Sequence, residues 1–392
     1  MTPPLLTDQE FPNRGRLHSS PQQVLRLSRE FVKFMEEASV KELATMELSA
    51  PEAVVMKADA PGAFGPSSCG LGPHATGTQD AKHLCKASFI SATIYYPTEF
   101  DGLPSRLPSV VIVGGQGCGE QAMAAWAPFY SSHGIVAMTI GTPVPWLDSP
   151  AARCQALLDA SLALQCEHGR EGSVLQGRLD VERRAVQGYS LGGGGAQMAG
   201  LSDQTLKCVI ALAPNEGETS PPAERLSFTS EEELRKTTVP VLIICGEKDT
   251  YDADPKTQAW PQYRQTKAPK LIVEVKGGDH YVANGPAGGV KEDLERGADD
   301  FMLCNFISAN VCMMCNPCYP GAWCVPFSGC GTLNGSSGHA GHNTSALRGA
   351  IGGIALAWLR LFLLGDESVR SQLALRPDIA SGFECSGVAV AP

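Results

Sequence analysis

Dense runs of lysine and arginine are missing from this 392-residue chain, and its formal net charge is −10. Without a basic surface to neutralise phosphates, nucleic acid and anionic membranes are poor candidates for main partners. The N-terminus, Met1-Thr2-Pro3-Pro4-Leu5-Leu6, lacks a basic segment followed by an apolar one, so no signal peptide is expected. Long hydrophobic runs are scarce too: the most apolar stretch, Ala350 to Leu364, is short for a membrane span and carries Arg360. No internal repeat is visible. What remains is ordinary for a globular chain with a sizeable core, 43% hydrophobic and 18% charged, and a cytoplasmic protein is the default expectation.

Cysteine, by contrast, is plentiful at 14 residues, and Cys304, Cys312, Cys315, Cys318, Cys324 and Cys330 crowd one short segment. Such a cluster suits disulfides in an oxidising compartment, which would favour a secreted protein, or a metal site in a reducing one. The spacing fits a four-ligand zinc site only in part and does not fit the iron–sulfur run, so a disulfide-stapled or solvated loop is expected first. Two segments, Asn334-Gly335-Ser336 and Asn343-Thr344-Ser345, match the glycosylation sequon.

The pattern along the chain predicts four parts. Residues 1–80 read as an N-terminal extension with one amphipathic helix, in which Val24, Leu27, Phe31 and Met35 recur at helical spacing. Residues 81–286 alternate β-rich runs (89–96, 110–113, 135–140, 185–189, 208–212, 239–245 and 271–275) with helical segments (121–132, 151–167, 194–201 and 257–264). That alternation predicts an α/β fold: a mostly parallel twisted sheet with helices on both faces. Residues 287–343 form a Cys-rich insertion that, by position alone, is expected to overhang the site as a lid. Residues 344–392 supply a closing helix, about 345–364, and a tail.

The chemistry centres on Gly188-Tyr189-Ser190-Leu191-Gly192, which directly follows an apolar run. A G-x-S-x-G turn between strand and helix holds a serine hydroxyl out at the end of a sheet, and Ser190 is the expected nucleophile. A chain with 42 glycines can hold this pentapeptide by chance, so its partners matter. The apolar run 239–245 is followed by Asp249, the expected acid, with Asp252, Asp254 and Glu247 as rivals. The run 271–275 is followed by His280, the expected base; His339 and His342 lie in a Gly/Ser-rich stretch less suited to fixed geometry. The order Ser190, Asp249, His280 is that of the α/β-hydrolase fold. Backbone N–H groups for an oxyanion are expected from Leu191 and from the loop Gly114-Gly115-Gln116-Gly117, where glycine density leaves Gly115, Gln116 and Gly117 open and Gln116 is preferred.

These segments resemble the bacterial cutinase and poly(ethylene terephthalate) hydrolase family, within the dienelactone-hydrolase-like α/β hydrolases. The elbow Gly188 to Gly195 is similar to its G-W-S-M-G-G-G-G, and Ala92-Thr93-Ile94-Tyr95-Tyr96-Pro97 to its T-I-Y-Y-P strand. Segments 115–136, 277–284 and 347–362 resemble its oxyanion loop, histidine loop and closing helix. The resemblance implies an α/β-hydrolase fold and puts the oxyanion donors on Gln116 and Leu191. Two positions depart from it: an aromatic usually stands where Gln116 is, and a tryptophan usually follows the Ala-Pro of Ala213-Pro214, where this chain has Asn215. Cys385 lies near the family's terminal cysteine.

The expectation is a serine-dependent carboxylic ester hydrolase working through an acyl-enzyme, with small-molecule or polymeric esters as substrate and neither metal nor organic cofactor. A lipase or lactonase with the same triad, and a non-catalytic binding protein on a hydrolase scaffold, are the alternatives. Oligomeric state is not legible.

Overall fold

The computed structural model describes residues 70–215, 238–249, 253–267, 269–283, 285–286 and 345–388. All of these lie in one compact unit, Met56–Pro392. The helix expected around residues 24–35, the six-cysteine segment, both sequons, Asp252, His339 and His342 fall outside the described residues.

Nine strands form one sheet: β1 (Thr76–Asp80), β2 (Ser91–Pro97), β3 (Leu107–Val113), β4 (Val136–Gly141), β5 (Leu179–Tyr189), β6 (Cys208–Leu212), β7 (Val241–Gly246), β8 (Lys270–Val275) and β9 (Ala380–Ser386). Their order is β1-β2-β4-β3-β5-β6-β7-β8-β9. The six strands from β4 to β8 run parallel, while β1, β2 and β9 pair antiparallel at the two edges. This is the α/β-hydrolase architecture. The sheet starts at Thr76, inside the segment read as an N-terminal extension, because β1 pairs with β2 through Thr76 to Asp80.

The parallel strands are mostly apolar where both faces are covered; the start of β5, Asp180 to Arg183, is mostly charged and less buried. All seven residues of β3 are buried, and successive side chains leave on opposite sides. Val110 and Ile112 pack with Trp126, Phe129 and Tyr130 of α1 (Trp126–Ser132) and with Ile351, Ile354 and Trp358 of α5 (Ser345–Leu359). Val111 and Val113 pack with Leu157, Ala160 and Leu164 of α2 (Pro150–Gln165) and with Ala196 and Ala199 of α3 (Leu191–Ser202). A shorter helix, α4 (Ala259–Gln265), adds Ala259 and Tyr263 to this second face. Helix α2 starts where Ser149 accepts the Ala152 N–H at 3.3 Å and Pro150 supplies a pre-set first turn.

Two elements differ from expectation. The segment expected as one helix from residue 121 is a 3₁₀ turn, Glu120–Met123, followed by the shorter α1. The closing helix continues past α5 through a π-helical turn, Arg360–Leu364, and stops at Gly365, whose φ is 68°. The window Ala346–Leu364 is long and apolar enough to cross a membrane, with mean hydropathy 1.6, but 72% of it is buried inside the molecule. It packs beside β6 and β7 on the same sheet face as α1, which explains that apolarity. Near its start, a Cβ on Gly352 would meet Pro286 Cβ at 2.4 Å, so the chain that departs at residue 286 lies directly against the helix to which it returns.

Candidate active site

Ser190 occupies the turn between β5 and α3 with φ 55° and ψ −121°, a region that side chains rarely adopt. Such a conformation costs on the order of 1–3 kcal/mol and persists only where neighbours hold it. Here the Ser190 N–H donates to the Leu212 carbonyl at 2.9 Å, and its own carbonyl accepts from Gly193, Gly194 and Asn215 at 2.8, 3.1 and 3.0 Å. Glycine is needed two residues earlier because a Cβ on Gly188 would sit 1.8 Å from the Gly192 carbonyl oxygen. The partner segment beyond β6 is strained as well, since Ala213 has φ 40°. It carries Asn215 back to the elbow.

Asp249 lies just past the end of β7, and His280 opens the 3₁₀ turn His280–Ala283 after β8. His280 Nε2 is 3.0 Å from Ser190 Oγ, and His280 Nδ1 is 2.6 Å from Asp249 Oδ2. With Nδ1–H donating to the carboxylate, Nε2 is left as the acceptor for the serine hydroxyl. The other carboxylate oxygen, Oδ1, accepts the Ala253 N–H at 3.1 Å. The Asp249 side chain is only 1% exposed and that of His280 14%, so the acid is shielded while the imidazole reaches the surface. Tyr189 packs against the imidazole, with ring centroids 4.9 Å apart.

The rival carboxylates are engaged elsewhere. Glu247 Oε2 accepts the Gly277 N–H at 2.7 Å, bracing the loop that leads to His280. Asp254 Oδ1 accepts the Lys256 N–H at 2.9 Å in a local turn.

On the other side of the serine, Gly115 lies in close contact. A Cβ there would meet Ser190 Cβ at 2.6 Å, so only glycine lets this loop approach. Gln116 is exposed and its Nε2 donates to the Trp146 carbonyl at 3.2 Å. Among the described residues, no acceptor takes the backbone N–H of Gln116 or of Leu191. One contributor is missing from the sequence-based expectations. Arg153 of α2 is wholly buried and donates to the carbonyls of Gly115 and Pro145. An arginine in a helix reads as solvent-facing until the sheet places it. Among the described residues, no cluster of His, Cys, Asp or Glu could hold a metal ion.

A family model for PET hydrolase-like proteins matches residues 65–292, more than half of the chain. The chain belongs to the PET hydrolase-like family. This PET hydrolase-like protein is therefore a carboxylic ester hydrolase, serine-type by family. It is 30% identical over 218 residues to Cutinase 1 of Thermobifida cellulosilytica, a match covering 55% of this chain and 74% of the relative. Lipase 1 of Moraxella sp. (strain TA144) is 29% identical over 210 residues, covering 54% of this chain and 59% of the lipase. The bis(hydroxyethyl) terephthalate hydrolase of Streptomyces coelicolor is 30% identical over 216 residues, covering 54% and 62%. The PET hydrolase-like chain thus spans about three quarters of the first relative and about three fifths of the other two.

Proposed function

We propose that this PET hydrolase-like enzyme cleaves esters through an acyl-enzyme on Ser190, with His280 as general base and acid and Asp249 as its orienting carboxylate. The observation that carries the reading is the pair of contacts, 3.0 Å and 2.6 Å, linking Ser190 to His280 and His280 to Asp249 from the ends of three different strands. In the first half-reaction His280 Nε2 takes the Ser190 proton as Oγ attacks the ester carbonyl. The imidazolium is stabilised by Asp249, and the tetrahedral oxyanion is received by the N–H groups of Gln116 and Leu191. Collapse expels the alcohol, which takes the proton from His280. Water, deprotonated by the same imidazole, then attacks the acyl carbonyl and releases the carboxylate.

Small esters are the substrates favoured over aromatic polyesters. Gln116 and Asn215 stand where the family resemblance calls for aromatics, and an exposed amide tied to the Trp146 carbonyl offers no face on which an aromatic ring would stack.

Ser190→Ala tests the reading directly. Fluorophosphonate labelling is expected to vanish, and turnover of a short-chain p-nitrophenyl ester to fall by about 10⁴-fold or more. Retained labelling and turnover in that variant would overturn it. Comparing the same ester with polyester film separates small from polymeric substrates.

A further inference from the structure

Arg153 is a buried cation that no carboxylate contacts among the described residues, although Asp148 is near enough to favour its charge. Its side chain is 0% exposed, and among the described residues no acid lies within ion-pairing distance. Burying a guanidinium is costly unless its donors are satisfied. Here they go to neutral oxygens: Nη2 donates to the Gly115 carbonyl at 2.6 Å and to the Pro145 carbonyl at 2.7 Å, and Nη1 donates to Thr142 Oγ1 at 3.2 Å. Nε, also buried, has no hydrogen-bond partner among the described residues. Core packing alone would be served better by an apolar side chain, so the choice of arginine calls for a task that uses its charge and its fork.

The Gly115 carbonyl and the Gln116 N–H belong to the same planar peptide unit, where they point in opposite directions. Fixing one fixes the other. A cation on the carbonyl oxygen also draws electron density through the amide and makes its N–H a stronger donor. The Cys118 N–H reaches the same oxygen at 3.2 Å, and the Gly117 N–H donates to the Pro145 carbonyl at 2.9 Å. The arginine therefore ties the two strand-end loops, 114–118 and 142–148, into one unit beside Ser190.

We propose that Arg153 is a positioning residue for ester hydrolysis: by clamping the Gly115 carbonyl, its guanidinium aims and polarises the Gln116 N–H that receives the transition-state oxyanion. The inference deepens the proposed triad mechanism and rests on it. It acts on the transition state and not on the ground-state ester, whose carbonyl oxygen carries little charge.

The test compares Arg153→Lys, which keeps the charge but loses the fork, with Arg153→Met and with Thr142→Val, which removes only the Nη1 contact. Each is measured for kcat and KM on a p-nitrophenyl ester and for inhibition by a trifluoromethyl ketone of the same chain length, with thermal melts to establish folding. For Arg153→Lys, kcat is expected to fall about 10- to 100-fold with KM within about twofold, and the ketone Ki to rise in proportion. Arg153→Met is expected to fall further, and Thr142→Val to stay within about twofold of the parent. Unchanged kcat and Ki in folded Arg153→Lys would overturn the clamp, as would an equal loss in Thr142→Val. Ser190→Ala, run alongside, separates the two ideas: turnover in that variant sinks the triad, while its loss beside an unaffected Arg153→Lys sinks only the clamp.

Discussion

In the proposed mechanism Asp249 carries a demanding task for one side chain, because its carboxylate must be shielded and singly directed. One oxygen is held by the Ala253 N–H, which leaves the other for the His280 ring. Asp249→Asn keeps the shape but offers an amide in place of the acceptor, so the imidazole is held in the wrong tautomer. A loss of about 10⁴-fold in kcat is expected at neutral pH, with a melting temperature close to that of the parent. Ester turnover beside a melt checks both halves. The proposed triad, Ser190, Asp249 and His280, stands out in the sequence because each residue follows a short segment of β character. Arg153 does not, since nothing local distinguishes a buried arginine of α2 from an exposed one. The family resemblance alone singles out Gln116 within its loop, as the successive backbone amides of Gly115, Gln116 and Gly117 look alike in sequence.

Among elements, the central strands were readable and the edges were not. β3 and β7 are buried along their whole length, and Val110 to Val113 of the one and Val241 to Cys245 of the other appear as unbroken apolar runs. β1, Thr-Gly-Thr-Gln-Asp, alternates between exposed and half-buried positions, and β9 carries Ser, Glu and Gly, so neither shows the pattern of a buried strand. A polar knot fixes how one edge joins the helices. Glu167, in the turn after α2, accepts from His83 at 2.9 Å, from Arg170 at 2.6 Å twice and from Ser173 at 2.6 Å. Desolvation pushes its carboxyl up, but these donors outweigh it and hold the pKa down to about 2. The unfolded chain therefore binds this proton first as pH falls. The stability due to Glu167 is complete above the ordinary carboxylate range and is lost as pH drops toward about 2. Glu167→Gln is expected to cost about 2 kcal/mol at pH 7. In denaturant melts the gap to the parent should stay constant from pH 7 down to about pH 5 and narrow from there toward pH 3; a gap that does not narrow below about pH 5 would exclude the charge as its source.

At the scale of the whole molecule, the three residues of the proposed triad and the Gly115 loop all come from the ends of parallel strands on one sheet edge, where the α/β topology gathers loops. That gathering was foreseeable from alternation alone, and family membership adds the ester chemistry. The return of the chain after residue 344 has a separate result. Pro286 touches Gly352, and the helix rises only about 10 Å between Ser345 and Gly352. Both stubs of the intervening segment therefore stand near one another, while α5 is buried and β9 is paired along β8. Every residue of the proposed machinery lies before residue 287. Covalent continuity between the two stubs is therefore expected to be dispensable once folding is complete. Cleavage at an engineered protease site between residues 287 and 343 is expected to yield two fragments that co-elute on gel filtration and keep hydrolysing esters, separating only in denaturant.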